Sequence, residues 1–167
     1  AGRGSAVIEG LKFAFENRYD YAVEMDADFS HQPSELPELL KLAGQNTVVI
    51  ASRYDKGSKI ENWSISRKLF SSLANRYANF VLNIGISDYT NGYRVYGRKA
   101  IEQLDFDKIK SSGYIVLSEI AYLLYKKGIL FKTRSTLFIN RVHGISNFTI
   151  GEFKEAFFSV WRIKHEN

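Results

Sequence analysis

Residues 21–31 have the sequence YAVEMDADFSH, which joins a strand-like run to a pair of carboxylates. The apolar run at residues 21–25 predicts a short buried strand, which Asp26 and Asp28 follow directly. Two carboxylates placed two residues apart at a strand end can point toward one spot in the next turn. Such hard oxygen ligands suit Mg²⁺ or Mn²⁺ where a diphosphate supplies the remaining ligands. The alternative is an Asp-rich turn that caps the following helix, since the motif is short.

Helical and strand-like patterns alternate on both sides of this stretch. The predicted helices cover residues 5–17, 34–43, 64–82, 98–104, 114–127 and 148–164, with Ser5 as the N-cap of the first. The predicted strands cover residues 21–25, 47–52, 89–96 and 130–139, with a polar loop at residues 55–63. This alternation is typical of a single α/β domain, in which ligands bind beyond the carboxyl ends of the strands.

Composition narrows the classes of function. The chain has 167 residues, 45% of them hydrophobic, which is enough for a sizeable core. It has no cysteine, so disulfides, thiolate metal sites and a thiol nucleophile are excluded. A net charge of +5 favours an anionic partner such as a nucleotide, a nucleic acid or a lipid surface. The sequence contains no apolar stretch of about 18 residues and predicts no membrane span.

Three arginines lie at strand ends or a helix start, where an anion is expected to bind. Arg53 and Arg141 each follow a predicted strand, and Arg67 lies in the first turns of a long predicted helix. The guanidinium fork matches phosphate oxygens, and a helix start adds free N–H groups. We therefore expect the three to converge on a diphosphate opposite the metal. For each one alone, the alternative is a surface salt bridge.

Five ordered blocks of sequence carry a family resemblance. They are MDADFSH at residues 25–31, ASRY at 51–54, ENWSISRKL at 61–69, SDYTNGYR at 87–94 and NRVHGIS at 140–146. In order and spacing, the chain from Gly2 to about Phe148 resembles dolichol-phosphate mannosyltransferases and their bacterial and archaeal polyprenyl-phosphate relatives. These are inverting glycosyltransferases of the GT-A fold. Five blocks in order are far more specific than one D-x-D motif.

The resemblance implies a fold and a domain division. We expect an α/β, GT-A-type Rossmann-like open sheet with flanking helices that lacks the first strands of the family fold. Residues 1–149 would form a partial GT-A catalytic domain. Residues 150–167 would form a C-terminal amphipathic helix, either part of that domain or facing a membrane. Because the family's opening strand and Pro-x-Tyr-Asn-Glu-like loop do not occur here, we expect an incomplete nucleotide pocket, negligible turnover by these residues alone, and self-association through an exposed sheet edge.

The resemblance also implies roles for individual residues. The implied metal ligands are Asp26, Asp28 and Ser30, the last of these weak. The implied catalytic residues are Asp28, Arg67 and Arg141. The implied substrate contacts are Arg53, Ser71, Asp88, Thr90, Arg94 and Ser146. Among these, Arg141 would lie on a loop over the acceptor phosphate, and the segment from Asp88 to Arg94 would line the site near the sugar or the acceptor.

The implied reaction moves mannose or glucose from a GDP- or UDP-sugar to a polyprenyl or dolichyl phosphate, with inversion and with Mg²⁺ or Mn²⁺. A lipid phosphate needs no general base, because its second pKa is about 6 and it is already an anion near neutral pH. An alternative is transfer to a sugar hydroxyl, with Glu119 as the base; Glu119 could instead be a helix-dipole partner. A third hypothesis, a nucleic-acid-binding or structural module, has no recognised motif to support it, and we expect no nucleic-acid partner.

The last predicted helix is amphipathic. Its apolar face contains Phe153, Phe157, Val160 and Trp161, widened by Phe158 and Ile163. The cations around that face are Lys154, Arg162, Lys164 and His165. One interpretation is that the face packs on the sheet. The other is that it lies on an anionic membrane, which fits a peripheral protein on the cytoplasmic face of a membrane.

Overall fold

The computed structural model describes residues 2–140 and 150–166. The helices are α1 (Arg3–Glu16), α2 (Leu36–Leu42), α3 (Ile65–Leu82), α4 (Arg98–Glu102), α5 (Val116–Lys126) and α6 (Ile150–Glu166). The strands are β1 (Tyr21–Glu24), β2 (Thr47–Ser52), β3 (Lys59–Glu61), β4 (Arg94–Gly97), β5 (Leu130–Ser135) and β6 (Leu137–Ile139). Short 3-10 turns occur at Pro33–Glu35 and Phe106–Lys108.

The main sheet has the strand order β1-β4-β2-β5. Strand β4 is antiparallel to both β1 and β2, whereas β2 and β5 are parallel. It follows that β1, β2 and β5 run in the same direction and end at the same edge of the sheet. A second sheet pairs β3 with β6 in parallel. The predicted mixed α/β open sheet with flanking helices is confirmed.

Strand β2 divides the core into two layers. All six of its residues are buried, and successive side chains of a strand face opposite sides of the sheet. Val48 and Ile50 join the larger apolar cluster, which includes residues of α1, α3, α5 and α6. Val49 and Ala51 join a smaller cluster, against α2. The charged residues that follow β2 are therefore fixed by a strand held on both faces and both edges.

The first predicted strand forms, but its predicted burial is wrong. Tyr21 and Val23 of β1 are exposed, and the two residues that alternate with them are only half-buried. The physical reason is the strand order, because among the described strands β1 lies at the edge of the sheet and pairs only with β4. An apolar run predicts a strand without telling whether both of its edges are covered.

The predicted strand at residues 130–139 is two strands. The break falls at Thr136, whose N–H donates to the Ser58 hydroxyl at 3.3 Å and whose own hydroxyl donates to the Glu35 carboxylate. These polar contacts turn the chain from the main sheet into the small one. The predicted polar loop at residues 55–63 correspondingly contains β3.

The predicted strand at residues 89–96 is shorter than expected and begins only at Arg94. Before it, the chain turns around one carboxylate. Asp88 Oδ1 accepts the N–H groups of Thr90 at 3.2 Å and Asn91 at 3.0 Å. An aspartate that accepts backbone N–H groups two and three residues ahead stabilises a turn and removes those groups from a sheet ladder.

Helix predictions hold better than strand predictions. The long helix α3 begins after Ser64, whose hydroxyl accepts the Arg67 N–H at 3.3 Å as an N-cap. Helix α5 ends before Gly128, which has a positive φ of 76°, as a C-terminal glycine commonly does. Helix α1 begins earlier than predicted, with Gly2 rather than Ser5 at the N-cap position. Among the described residues, none of the helices has both the length and the apolar character needed to cross a membrane.

Helix α6 has two different apolar sides. Val160 and Ile163 are buried in the larger core cluster, so one side packs on the protein as the first interpretation predicted. Phe157, Phe158 and Trp161 are exposed, so the predicted single face is divided between core and surface. Two of the predicted surrounding cations contact neighbouring parts of the chain. The contacts are Arg162 Nη2 to Ser111 Oγ at 3.0 Å and the Lys164 ammonium over the Tyr122 ring at 5.6 Å.

Candidate active site

A cavity of about 720 Å³ opens beyond the carboxyl ends of β1 and β2, where an open α/β sheet binds its ligands. Its charged and polar lining residues are Arg3, Asp26, Asp28, Ser30, Arg53, Ser66, Arg67, Ser71, Asn75, Thr90, Asn91, Ser118 and Asn140. Most of the predicted site residues among those described thus come together at one place. They approach from the turn after β1, the end of β2, the start of α3 and the segment before β4.

The turn after β1 presents a group of oxygen ligands. Ser30 donates to Asp28 Oδ1 both from its N–H at 3.0 Å and from its hydroxyl at 2.6 Å. Phe29, between them, has a positive φ of 61°, which folds the turn back on itself. Asp28 is exposed toward the cavity, whereas Ser30 is buried beneath it. The turn is therefore held by its own side chains with one carboxylate facing outward.

Arg3, which the sequence analysis did not single out, contacts the other carboxylate of the turn. Its guanidinium reaches both oxygens of Asp26, with Nη2 at 3.0 Å from Oδ1 and Nη1 at 3.2 Å from Oδ2. The same guanidinium lies over the ring of Tyr114, 4.8 Å from the ring centroid. It takes up the room beside Gly92, where a Cβ would collide with it. A cation therefore already neutralises Asp26 in the absence of a metal.

Arg53 lies at the end of β2 and forms a buried ion pair. Its Nε donates to Asp88 Oδ2 and its Nη2 to Asp88 Oδ1, both at 2.8 Å, and Nη2 also donates to the Thr90 hydroxyl at 2.7 Å. Burial raises the pKa of Asp88, but the charge and hydrogen bonds of Arg53 outweigh burial, and the pKa falls below its ordinary value. Burial likewise acts to lower the pKa of Arg53, and the Asp88 charge reverses this and raises it. Both groups are therefore charged at neutral pH.

Arg67 approaches the cavity from the first turn of α3. Its guanidinium lies over the ring of Trp63, 4.1 Å from the centroid, and its Nη1 donates to Asn140 Oδ1 at 3.3 Å. Arg53 is 5.4 Å from the centroid of the same ring. An indole ring attracts cations to its face without neutralising their charge, so Trp63 contacts both arginines. Since Asp88 balances the charge of Arg53, Arg67 is the arginine that adds positive charge to this part of the cavity.

The other end of the cavity is apolar. Helices α3 and α6 form most of this wall, and the ring of Tyr77 stacks on that of Phe157 with centroids 4.3 Å apart. The apolar and aromatic side chains of the wall are Phe70, Leu73, Ala74, Tyr77, Ala78, Ile115, Phe157 and Val160. One continuous cavity therefore joins a cluster of charged groups to a surface that favours hydrocarbon.

The sequence has recognisable relatives. Residues 1–105 match the profile of glycosyl transferase family 2. The chain belongs to glycosyl transferase family 2. It is 35% identical over 167 residues to the polyprenol monophosphomannose synthase of Mycolicibacterium smegmatis, covering 98% of this chain and 63% of that protein. It is 36% identical over 161 residues to the undecaprenyl-phosphate mannosyltransferase of Micrococcus luteus, covering 96% of this chain and 66% of that protein.

The family 2 chain thus spans just under two thirds of the length of either relative. The match with mannosyltransferases of this kind agrees with the resemblance carried by the five sequence blocks, and the expected family is confirmed. The alternative of a nucleic-acid-binding or structural module is not supported, because the family match covers most of the chain.

Two predicted substrate contacts of this family 2 chain lie beneath the cavity instead of lining it. Asp88 is fully buried and contacts Arg53, so it orients the arginine. Arg94 is also fully buried, and its guanidinium donates to the carbonyls of Asn91, Leu117 and Tyr89 at 2.8–2.9 Å. Neither residue lines the cavity, so direct contact with a substrate stays a prediction for both. An arginine that donates to three backbone carbonyls joins strand, turn and helix, and has no fork available for a ligand.

Glu119, the candidate base for a hydroxyl acceptor, is buried and does not line the cavity. Its Oε2 accepts the N–H groups of Ser111 at 2.7 Å and Lys110 at 3.1 Å. It therefore holds the segment that leads into α5. This structural role is similar to the helix-start role that was the alternative to a general base. Two further predicted contacts, Arg141 and Ser146, lie outside the described residues.

His31 and Asn91 form a connection that the sequence analysis missed. A lone histidine in a loop is usually solvated, but His31 is only 1% exposed. Its Nδ1 accepts the N–H of Asp26 at 3.0 Å, and its Nε2 lies 2.8 Å from Asn91 Oδ1. Burial lowers the pKa of His31 despite the nearby Asp26 charge. The sequence signal that could have identified these two residues is their position inside the quoted blocks. Neither residue has an obvious ligand role.

Proposed function

We propose that this family 2 member transfers a sugar from a nucleotide-sugar to a polyprenyl phosphate, with inversion at the anomeric carbon. The observation that carries the proposal is the two-part cavity, in which Asp28, Arg53 and Arg67 meet an apolar wall on α3 and α6. A nucleotide-sugar brings a diphosphate and the acceptor brings a phosphate on a hydrocarbon chain. A cavity with one charged and one apolar end suits that pair of substrates.

The charged end fits a divalent cation that takes much of its coordination from phosphate. Its carboxylates and the Ser30 hydroxyl are hard oxygen donors, of the kind that Mg²⁺ and Mn²⁺ prefer. No group of three or more His, Cys, Asp or Glu side chains suited to a metal occurs within the described ranges. Mg²⁺ usually keeps several water or phosphate ligands beside one or two carboxylates, so the small donor set is compatible with it. When bound, the cation would neutralise charge on the leaving diphosphate.

The chain's own residues would mainly position anions. Arg67, stacked on the Trp63 ring that Arg53 also contacts, would bring positive charge to the phosphates, where preorganised donors stabilise developing negative charge. A lipid phosphate is already anionic near neutral pH and needs no proton removed before it attacks. The location of Glu119 away from the cavity lining supports this acceptor over a sugar hydroxyl, which would need a base within reach.

The surface beside the apolar wall suits a membrane. Its exposed apolar residues on α3 and α6 are Ile65, Leu69, Phe70, Leu73, Phe80, Phe157, Phe158 and Trp161. Lys68 and Arg76 are exposed on α3 and add positive charge. A helix surface of this kind lies in the interface of an anionic bilayer and would bring the cavity to its lipid acceptor. The cytoplasmic face and self-association remain predictions.

The test of the function is sugar transfer by the full-length protein from GDP- and UDP-sugars to a short-chain polyprenyl phosphate, with and without Mg²⁺ or Mn²⁺. We expect cation-dependent transfer by the wild type and its loss in Asp28→Asn with an unchanged circular dichroism spectrum. Phe29→Ala, which alters the exposed neighbour of Asp28 and keeps both carboxylates, is the control. Unchanged turnover in Asp28→Asn would contradict the metal assignment.

The membrane proposal has its own test in vesicle co-sedimentation. We expect the wild type to bind vesicles that contain anionic lipid, less at high salt, and Trp161→Ala to bind more weakly because it removes an exposed aromatic from the proposed contact. Tyr125→Ala, which removes an exposed aromatic from α5, should bind like the wild type. A protein that does not bind, or binding that is insensitive to both Trp161→Ala and salt, would assign these exposed residues another role.

A further inference from the structure

The two charged halves of the cavity are joined by a chain of buried hydrogen bonds. Starting at the carboxylate turn, the N–H of Asp26 donates to His31 Nδ1 at 3.0 Å, and His31 Nε2 lies 2.8 Å from Asn91 Oδ1. The N–H of Asn91 donates to Asp88 Oδ1 at 3.0 Å, and Asp88 holds the guanidinium of Arg53. Two of these contacts, His31 to Asn91 and Asp88 to Arg53, join residues that are distant in the sequence. The other two lie within a single turn of the chain.

The donor and acceptor roles along this chain are fully determined. A backbone N–H can only donate, so Nδ1 of His31 must accept and the ring proton must sit on Nε2. That proton then makes Asn91 Oδ1 the acceptor, which leaves Asn91 Nδ2 to donate to the carbonyl of Ala51 at 2.5 Å. A single tautomer of His31 and a single amide orientation of Asn91 satisfy all the partners.

Packing holds the histidine ring in the same orientation. The ring stacks on Tyr93, with centroids 5.1 Å apart and planes inclined by 20°, and meets Phe138 edge to face at 5.6 Å. His31 and Asn91 are 1% and 2% exposed, so water does not compete for their hydrogen bonds. Neither rotation of the ring nor a flip of the amide is available without leaving a buried polar group unpaired.

We propose that His31 and Asn91 are positioning residues that hold the carboxylate turn and Arg53 at the separation required by a cation-bound diphosphate. The inference rests on the proposed function, since it assigns these residues to the use of a nucleotide-sugar. Groups that orient ligand-bearing residues from behind commonly change metal affinity or activity about 10–100-fold when they are altered. Asn91 is the junction, because it contacts the turn after β1, the end of β2 and the carboxylate that holds Arg53.

The experiment compares variants of His31 that separate packing from hydrogen bonding. His31→Phe keeps an aromatic ring against Tyr93 and removes both hydrogen bonds. His31→Asn keeps an acceptor at the position of Nδ1 for the Asp26 N–H and loses the contact with Asn91. Gln32→Ala is the matched control in the same turn, because that side chain is only partly buried and makes a long contact of 3.4 Å to the Phe29 carbonyl.

Two readouts in the full-length protein separate positioning from folding. The first is the affinity for Mn²⁺ in the presence of GDP and, separately, UDP, which requires no turnover. The second is kcat and KM for sugar transfer at a temperature where every variant is folded by circular dichroism. We expect His31→Phe and Asn91→Ala to lose about 10–100-fold in Mn²⁺ affinity and in kcat. His31→Asn should recover part of the loss, and Gln32→Ala should match the wild type.

The double variant His31→Phe/Asn91→Ala adds a third comparison. If the two residues act as one connection, its loss should be close to that of either single variant, since residues in one network are not additive. Should His31→Phe not fold, His31→Gln, which lacks the acceptor for Asp26, has the same expected loss. Variants that melt earlier yet bind Mn²⁺ and turn over like the wild type would overturn the proposal. A wild type that binds Mn²⁺ but transfers no sugar would instead refute the proposed function.

Discussion

Two arginine–aspartate pairs lie at the same cavity and differ in burial. Arg53 and Asp88 have side chains 7% and 0% exposed, and their contact is bidentate at 2.8 Å. Arg3 and Asp26 have side chains 23% and 30% exposed, with a contact of 3.0 Å. The chemistry of the two pairs is the same, but only the first is sealed from water.

The difference in burial assigns the pairs different roles. Breaking a buried pair leaves one charge without solvent or partner, so that pair is a permanent part of the fold. A partly exposed pair gains little over hydration, so Arg3 can give way to another cation at Asp26. One pair therefore fixes the arginine half of the cavity, and the other balances the charge of Asp26 in the carboxylate half.

The largest expected effect is that of Asp88→Asn on stability. The substitution leaves the Arg53 guanidinium buried beside a neutral amide, and we expect it to lower the free energy of unfolding by about 3–5 kcal/mol. Urea denaturation at pH 7 measures this. Because the folded pKa of Asp88 lies below its ordinary value of 3.8, its charge stabilises the fold above pH 3.8, and this contribution is lost as the pH falls through the lower folded value. The difference in the free energy of unfolding between wild type and Asp88→Asn should therefore become smaller only at acid pH.

The matched control for Asp88→Asn is Glu102→Gln, which breaks the exposed pair between Arg98 and Glu102 on α4. We expect it to cost about 0.3–0.5 kcal/mol, as for other i,i+4 pairs on a helix surface. Equal costs for the two variants would show that burial does not separate the ion pairs of this protein.

The next effect concerns transfer. Arg67→Ala removes a guanidinium that lies on Trp63 at the cavity and should lose about 2–4 kcal/mol of transition-state stabilisation, read from kcat/KM. The stability of Arg67→Ala should change little. Arg53→Ala should lose both transfer and stability, because it leaves the buried Asp88 carboxylate without its partner. Arg98→Ala, on the surface of α4, is the control. A loss in Arg98→Ala as large as that in Arg67→Ala would remove the case for a phosphate contact.

A smaller effect is expected at Glu119, a second buried carboxylate. Its Oε2 accepts two backbone N–H groups, which the amide oxygen of Glu119→Gln can also accept. Transfer to a lipid phosphate should stay within about tenfold of the wild type, well short of the 10²–10⁴-fold loss typical of a missing general base. A far greater loss in a folded variant would favour a hydroxyl acceptor.

The smallest effect is expected at the open pair. Arg3→Ala should change the free energy of unfolding by less than about 1 kcal/mol, since its contacts with Asp26 and, at 3.7 Å, with Glu24 are partly exposed. If Arg3 competes with a divalent cation, the variant should also need less Mn²⁺ for half-maximal transfer. A stability loss as large as that of Asp88→Asn, or a greater Mn²⁺ requirement, would show that Arg3 belongs to the fixed framework.

Much of the site could be predicted because its residues follow local patterns. An apolar run, a carboxylate pair and a capped helix each lie within a few residues, and they located Asp26, Asp28 and Arg67 correctly at the cavity. Asp88 and Arg94 were predicted to contact the substrate, but both lie in the layer below the cavity. Both are polar residues in a block expected near the ligand, and sequence does not tell whether a charge faces the cavity or the layer below it.

The sequence by itself determined the alternation of helices and strands, the family, and the residue types that surround the cavity. The pairing of charged and polar side chains across the cavity depends on the tertiary structure. Arg53 and Asp88 are 35 residues apart, and His31 and Asn91 are 60 residues apart. They come together because β4 lies between β1 and β2, an order that no short stretch of sequence encodes. Burial of a charge is likewise a property of all the segments packed around it, so a pattern a few residues long cannot determine it.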